Sequence, residues 1–308
     1  MNMLIKYSTI KNKALRVFLK LLILFIPKKK NRQLKLDLGI CSLLCHVDVD
    51  MFIFSLKSLF YFIGMDLPIY ITDDGSLTLK DKIKIKKYFQ VEIMSRTASD
   101  KKMAKLLEKY RFFKKIRLSE SSAIYKYKID SLFLSKFKRK ILIDPDIIFQ
   151  KSPIEMINWI KNKDNRIFYT VHDDKFFQKG YFEEYSFRVL LFKFLKLQMS
   201  GGFSSGLVMF PEVNKEMMDN IDLASKMLIN IYRQNSDNID EVLLSILIAG
   251  SDNPHELPVS DYYVIALEGQ YNEEKEQKAS IIHYGHLTNY RYYKKALEVA
   301  LKNKFFTL

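Results

Sequence analysis

Residues 138–153 read KRKILIDPDIIFQKSP, in which two short apolar runs flank an acidic pair. The run ILI predicts a buried strand, and Asp144, Pro145 and Asp146 stand at its carboxyl end, the edge where open α/β sheets bind ligands. An extended chain directs Asp144 and Asp146 to the same side, and Pro145 keeps Asp144 out of the helical region. Two carboxylates so placed can hold Mg²⁺ or Mn²⁺ beside a diphosphate. The alternative is an Asp-Pro turn that ends a strand.

The segments around this stretch alternate between strand and helix patterns. Short apolar runs predict strands at 38–45, 69–72, 91–94, 141–143, 167–171, within 201–211 and at 280–284. Helical spacing is found at 51–64, 79–89, 100–110, 125–137, 182–197, 239–249 and 290–306, and in a further segment that ends at 231. This order predicts an α/β protein with a Rossmann-like, mixed and mostly parallel sheet flanked by helices.

The formal charge of +15 is concentrated near the N terminus. Residues 1–36 hold ten basic residues and no acidic one, which leaves a surplus of only five positive charges for residues 37–308. A nucleic-acid-binding protein carries its basic surface on a face of the folded domain, so we expect no nucleic-acid partner. Two cysteines, Cys41 and Cys45, exclude a disulfide scaffold and a zinc ribbon. We expect both to be reduced and buried in a cytosolic protein.

Residues 1–36 predict a basic amphipathic arm, and residues 37–308 a single catalytic domain that ends in a basic helix. The longest uncharged run of the arm, residues 21–27, is too short to span a bilayer, and Arg16 and Lys20 argue against a secretory signal. On a helical wheel one face of the arm is apolar and consists of Leu15, Phe18, Leu19, Leu22 and Phe25. Such a helix suits the anionic inner face of the cell membrane. The alternative is a helix that packs on the domain.

Five segments carry a resemblance through their order along the chain. They are the first strand and helix, PIYITDDGS at 68–76, KIDSLFLSKFKRKILIDPDIIF at 128–149, FSSGLVMF at 203–210 and IIHYG at 281–285. From about residue 38 to residue 295 the chain resembles GT-A fold glycosyltransferases, in particular family 8, the glycogenin and bacterial lipopolysaccharide galactosyltransferase group. The resemblance implies that Asp144, Asp146 and His283 bind Mn²⁺ or Mg²⁺. Imidazole is a good Mn²⁺ ligand, although a lone histidine at a strand end is more often a hydrogen-bonded core residue.

The same resemblance implies further substrate contacts. For the nucleotide and donor sugar these are Asp73, Asp74, Lys128, Asp130, Ser204, Ser205, Gly206, Arg291 and Lys294, with Ser204 standing where the family often has an amide. Asp240 and Glu241 match an acidic or amide pair under the sugar, where Glu241 could stabilise positive charge at the anomeric carbon or act on the acceptor hydroxyl. The alternatives are a tight turn for DDGS, exposed helix faces for the basic residues and helix capping for Asp240. His172, Asp173 and Asp174 follow a strand and are further candidates.

We therefore expect an enzyme that transfers a hexose from a nucleotide diphosphate sugar, UDP-linked, to a glycan or lipid-linked acceptor in cell-surface polysaccharide synthesis. A sugar-phosphate nucleotidyltransferase would share the sheet, but it opens with a Gly-rich basic phosphate loop that LLCHVDVD at 43–50 lacks. A third alternative is a non-catalytic, membrane-associated scaffold whose acidic pair is structural. Family 8 resemblance implies retention at the anomeric carbon, whereas other GT-A families invert with the same metal pair.

Overall fold

The computed structural model describes residues 14–24, 37–119, 124–172, 203–231, 239–265, 271–285 and 289–303. The strands are β1 (Leu38–Leu44), β2 (Ile69–Asp73), β3 (Val91–Met94), β4 (Arg139–Ile143), β5 (Ile147–Phe149), β6 (Phe168–Val171), β7 (Phe203–Phe210), β8 (His255–Glu256), β9 (Tyr262–Ile265) and β10 (Ile281–Tyr284). The helices are α1 (14–24), α2 (Val49–Ile63), α3 (Leu79–Tyr88), α4 (Arg96–Leu106), α5 (Arg111–Arg117), α6 (Asp130–Leu134), α7 (Ile154–Asn162), α8 (Lys215–Ile231), α9 (Ile239–Ala249), α10 (Glu273–Lys278) and α11 (Asn289–Lys302). Single 3-10 turns cover His46–Asp48 and Ile124–Tyr127.

Seven of the described strands form one mixed sheet in the order β3-β2-β1-β4-β7-β6-β8. Strands β1 to β4 run parallel, and β7 lies antiparallel between β4 and β6. A smaller sheet has the order β5-β10-β9. Apolar side chains on the helices and strands form two buried clusters around the sheets. The predicted Rossmann-like α/β class with a mixed, mostly parallel sheet is confirmed.

The turn after β2 is held closed by its own polar side chains. Asp73 Oδ1 accepts hydrogen bonds from the N–H groups of Gly75 and Leu77, at 2.8 and 3.2 Å. Gly75 has a φ of 103°, a left-handed conformation that favours glycine. Thr78 then caps α3 in a capping box with Asp81. The carboxyl edge of the sheet is therefore shaped at β2 by residues that follow one another directly in the sequence.

The Asp-Pro-Asp segment joins the two sheets. Strand β4 belongs to the large sheet and β5 to the small one, so residues 144–146 carry the chain from one sheet to the other. Strand β10 pairs antiparallel with β5 and places His283 opposite Ile147. Residues distant in sequence thereby meet at the end of β4.

Several predicted elements differ from those observed. The helix predicted at 100–110 begins earlier, as α4, because Ser95 caps it, and α5 follows separately. The helix predicted at 125–137 is divided into a 3-10 turn and the short helix α6. The helix predicted at 182–197 lies outside the described residues. Cys41 and Cys45 are free thiols; Cys41 is buried as predicted, whereas Cys45 is half-buried.

Helix α1 packs on the domain through most of the predicted apolar face, with Phe18 as the exception. Leu19 and Ile23 are buried in the core, whereas Phe18, predicted to share a face with Leu19, is 44% exposed. Leu15 and Leu22 are partly buried against the same core. The predicted continuation of the apolar face, Phe25, lies outside the described residues. Within the described ranges, no helix combines the length and the apolar character that a membrane span requires.

Candidate metal and donor site

Asp144, Asp146 and His283 form a group of potential metal ligands at the junction of the two sheets. His283 Nε2 lies 3.2 Å from Asp146 Oδ1 and 3.7 Å from Asp144 Oδ2. One ligand atom from each residue lies within 4.8 Å of the other two. Asp146 Oδ1 is buried and, apart from its contact with the His283 imidazole, has no hydrogen-bond partner among the described residues. Two carboxylates and one imidazole are a donor set that fits Mn²⁺ or Mg²⁺.

Backbone hydrogen bonds fix both acidic residues of this group. The N–H of Asp144 donates to the carbonyl of Gly206 on β7, at 2.8 Å. The N–H of Tyr284 on β10 donates to the carbonyl of Asp146, at 3.1 Å. Each carboxylate is thus attached to a backbone that a neighbouring strand holds in place. The pair is preorganised by strand pairing and does not depend on a free loop.

Gly206 allows the imidazole of His283 to lie against β7. A Cβ atom on residue 206 would lie 2.3 Å from both Nδ1 and Cε1 of His283, far inside van der Waals contact. Ser204 Oγ lies 3.4 Å from Nδ1, on the side of the ring that faces away from the carboxylates. Ser204 and Gly206, predicted as donor-sugar contacts, therefore line the imidazole, in the manner of residues that orient a metal ligand.

We expect Gly206→Ala to weaken Mn²⁺ binding about 10- to 100-fold, the usual effect of disturbing a group that orients a metal ligand. The added methyl group would overlap the imidazole, so the ring must move from the position in which it lies beside the two carboxylates. Titration calorimetry with Mn²⁺ measures the change, and Gly250→Ala, a glycine near the end of α9, is the control. An unchanged Mn²⁺ affinity in Gly206→Ala would show that His283 does not bind the metal.

Lys128 connects the metal ligands to α9. Its Nζ lies 2.7 Å from Asp144 Oδ1, 2.9 Å from Ser205 Oγ and 3.4 Å from Asp240 Oδ2. The hydroxyl of Ser205 also donates to Asp240 Oδ2, at 2.9 Å. Lys128 and Asp240 are only 2% and 4% exposed. Four residues predicted separately from the sequence thus form one buried network of alternating charge.

The charged groups of this network shift one another's pKa values. Burial raises the pKa of the Asp144 carboxyl to about 6, although the nearby Lys128 ammonium and His283 imidazole lower it. Burial lowers the pKa of Lys128, but the carboxylates of Asp144 and Asp240 raise it by more than burial lowers it. The pKa is therefore above its usual value, and the ammonium is charged. Burial also lowers the pKa of His283, and the carboxylates of Asp146 and Asp144 together more than reverse this effect. A divalent cation between these groups would replace the imidazole proton as the countercharge.

Comparison with solved structures shows the same fold at very low sequence identity. Mouse xyloside xylosyltransferase 1, in its apo form, has 12% identity and a TM-score of 0.53, over 81% of this chain and 98% of that one. The galactosyltransferase LgtC, in complex with donor and acceptor sugar analogs, has 10% identity and a TM-score of 0.50, over 88% and 96%. The fold is that of the GT-A glycosyltransferases. The resemblance predicted from five segments is confirmed for the fold.

A third GT-A neighbour is a longer protein. The bifunctional glycosyltransferase WbbM, in its apo structure, has 10% identity and a TM-score of 0.52, over 89% of this chain and 53% of that one. No family model matches the sequence, and no curated protein matches it. The GT-A assignment therefore depends on the fold, and the chemistry must be argued from the site.

The other candidate residues at the GT-A sheet edge are in varied surroundings. Asp73 is 3% exposed and forms an ion pair with Lys82 at 2.7 Å, in addition to its turn hydrogen bonds. Asp74 is half-buried and accepts from the Ser76 hydroxyl at 2.6 Å. Asp130 is fully buried, where it pairs with Arg117. The carboxylate of Asp130 therefore belongs to the core, and a donor contact for it is a prediction that this geometry does not support.

Arg291 and Lys294 lie on the far side of the small sheet from the metal ligands. They line a cavity of about 310 Å³ together with Glu276, and the Arg291 guanidinium stacks on Tyr271 at 3.5 Å from the ring centroid. Tyr284 donates a hydrogen bond to Glu276, and its side chain points to the opposite face of β10 from its neighbour His283. The structure does not bring Arg291 and Lys294 to the carboxylates of Asp144 and Asp146. The neighbouring Lys295 is buried beside Glu276.

The remaining candidates are described only in part. Glu241 is half-buried on α9 and acts electrostatically on Lys128. His172 is buried just after the end of β6, two residues beyond Thr170, which pairs with Ser204 across the sheet. Asp173 and Asp174 lie outside the described residues.

Tyr125 lies next to the site and was missed by the sequence analysis. It is 44% exposed, and its carbonyl accepts a hydrogen bond from the N–H of Lys128 at 2.9 Å. Burial raises the pKa of its phenol, and the carboxylates of Asp240 and Asp144 raise it further. The available signal was its position three residues before Lys128. A continuous helix was predicted there, however, and such a helix does not distinguish Tyr125 from its neighbours.

Proposed function

We propose that this protein is a metal-dependent glycosyltransferase that moves a hexose from a UDP-sugar to an acceptor hydroxyl. The observation that supports this most directly is the convergence of Asp144, Asp146 and His283 at the carboxyl edge of a GT-A sheet, with ligand atoms within 4.8 Å of one another. When bound there, Mn²⁺ or Mg²⁺ supplies positive charge to the diphosphate that leaves. The residues Asp144, Asp146 and His283 would hold it.

The nucleotide part of the donor is proposed to lie along the carboxyl ends of β1 and β2. The turn at Asp73 and Asp74 follows β2, which neighbours β1, and β1 neighbours the metal-bearing strand β4. Neighbouring strands lie about 4.8 Å apart, so these two spacings separate the turn from Asp144 by about 10 Å, a distance that a nucleoside diphosphate can span. Gly75 lets the ligand approach the backbone of the turn.

The residues of α9 are proposed to act on the sugar. In the reaction the bond between the anomeric carbon and the diphosphate oxygen breaks, the acceptor oxygen bonds to the same carbon, and its proton passes to the departing diphosphate. Asp240 is fixed by Ser205 and Lys128, so it is a positioning group for the donor sugar. Glu241, on the same first helical turn, is proposed to stabilise the positive charge that develops at the anomeric carbon. Tyr125 adds a hydroxyl at the exposed side of the network.

The acceptor is proposed to be a glycan or a lipid-linked glycan of the cell surface, met at the anionic inner face of the membrane. This part of the proposal is supported by the ten basic residues, without an acidic one, in residues 1–36. Such a concentration of positive charge favours binding next to anionic headgroups.

Hydrolysis of the donor tests the proposed reaction without knowledge of the acceptor. A panel of UDP-sugars is incubated with the full chain in Mn²⁺ and, as a control, in EDTA, and released UDP is measured. We expect slow release of UDP from at least one donor in Mn²⁺ and none in EDTA. If no donor is hydrolysed and calorimetry shows no Mn²⁺-dependent binding of UDP, the enzyme proposal is wrong and the acidic pair is structural.

A further inference from the structure

Helix α1 has two apolar faces, and only one is covered by the domain. Leu19 and Ile23 are 2% and 0% exposed. On the other side of the helix the exposed fractions range from 44% to 63%, for Val17, Phe18, Leu21 and Leu24. Large apolar side chains scattered singly on a surface are ordinary, but four on one short helix form a continuous apolar strip. This strip differs from the apolar face that the helical wheel predicts.

Helix α1 is attached to the domain beside α3. The hydroxyl of Tyr88 donates to the carbonyl of Ile23 at 2.9 Å, and Asp50 is contacted by the ammonium groups of both Lys20 and Lys84. The first connection joins Ile23 to Tyr88, and the second brings Lys20 near Lys84, one turn earlier on each helix. Helices α1 and α3 therefore run side by side in the same direction. The exposed strip of α1 is therefore continued by the outer surface of α3.

The outer surface of α3 has the same character. Leu79 is 74% exposed and Ile83 is 48% exposed. Lys80, Lys86 and Lys87 are exposed around them, and none has a carboxylate partner among the residues that the structure describes. The two helices together present six exposed apolar side chains edged by unpaired ammonium groups.

Charge decides which partner fits this surface. Helix α3 contains five lysines and one aspartate, and residues 1–36 contain ten basic residues and no acidic one. A second copy of this chain would bring the same positive charge to the contact and be repelled. An anionic bilayer supplies both an apolar layer for the strip and negative headgroups for the lysines.

We propose that the outer surfaces of α1 and α3 bind an anionic lipid bilayer, with Phe18 and Leu21 inserted and Lys86 and Lys87 at the headgroups. Helix α3 begins directly after the turn at Asp73, so this surface adjoins the sheet edge that binds the donor. The inference rests on the proposed function in one respect, namely that membrane binding would bring a lipid-linked acceptor to that edge. It differs from binding by a detached arm, because a helix of the folded domain takes part.

Co-sedimentation with vesicles tests the proposal with the full chain. Vesicles of phosphatidylcholine with phosphatidylglycerol are compared with phosphatidylcholine alone, at low and high salt. We expect the double variant Phe18→Ser and Leu21→Ser to bind anionic vesicles at least tenfold more weakly. We expect Lys86→Ser with Lys87→Ser to lose about fivefold for each lysine at low salt, a difference that fades at high salt. The matched control is Ile154→Ser, since Ile154 is a 62% exposed residue on α7.

The outcomes separate this proposal from the proposed reaction. Donor hydrolysis without vesicles is expected to be the same in these variants as in the unsubstituted chain, because none of them touches the metal ligands. Vesicle binding by a chain that hydrolyses no donor and shows no Mn²⁺-dependent binding of UDP would reject the enzyme and keep the membrane surface. Absence of vesicle binding, or equal losses in Ile154→Ser and in the α1 double variant, would reject the membrane surface. Self-association that the α1 double variant abolishes, without vesicle binding, would assign the strip to a second copy.

Discussion

Mn²⁺-dependent binding of UDP is expected to weaken by at least about 100-fold in Asp146→Ala, while the fold is kept. Asp146 supplies a buried oxygen that lies 3.2 Å from the imidazole of His283 and has no other hydrogen-bond partner among the described residues. Its removal takes away one of two negative charges at the metal site. Because the side chain lies in the segment between the two sheets and not in the apolar core, its loss creates no large cavity.

Titration calorimetry of UDP into the protein, with and without Mn²⁺, measures this effect. The control is Asp252→Ala, which removes an exposed carboxylate far along the chain from the metal ligands. His283→Ala should cause a smaller loss than Asp146→Ala, because a neutral ligand compensates less of the metal charge. Unchanged affinity in Asp146→Ala would remove the basis for the metal site, and a larger loss in His283→Ala would reverse the ranking of the ligands.

The strand ends that carry the candidate metal ligands could be located from the sequence. Asp144 and Asp146 stand between two apolar runs, which places them at an edge by local pattern, whereas His283 was singled out mainly through the family resemblance. Their meeting point could not be derived locally. It depends on β5 leaving the large sheet and pairing with β10, and β5 is a strand of only three residues. A periodicity argument has too few positions to detect such a strand.

The surroundings of Lys128 show a second limit of local pattern. Lys128 and Asp130 were predicted together as donor contacts on one helix. The structure breaks that helix into a 3-10 turn and α6, which directs Lys128 to Asp144 and Asp130 to Arg117 in the core. For α1 the helical wheel placed Phe18 with Leu19 on one apolar face, but a helix with apolar residues on two sides allows either side to pack. Tertiary contacts made the choice.

Lys128→Met is expected to lower the free energy of unfolding by about 3–5 kcal/mol when no metal is present, the usual effect of removing one partner from a buried ion pair. The ammonium lies 2.7 Å from Asp144 and 3.4 Å from Asp240 and is 2% exposed. Methionine fills a similar volume, so the loss reports charge and not packing. The carboxylates of Asp144, which is partly buried, and Asp240, which is buried, would then lack the ammonium that both contact.

Mn²⁺ should restore much of this loss, since the metal supplies positive charge to the same carboxylate and no longer meets repulsion from Lys128. Denaturant unfolding with and without Mn²⁺ is therefore expected to show a larger metal-dependent gain in Lys128→Met than in the unsubstituted chain. The matched control is Lys278→Met, which removes the ammonium of an exposed ion pair with Glu274 and should leave the unfolding free energy nearly unchanged with or without metal. Equal metal-dependent gains in Lys128→Met and the unsubstituted chain would show that Lys128 and the metal do not share Asp144, and would place the cation site elsewhere in the protein.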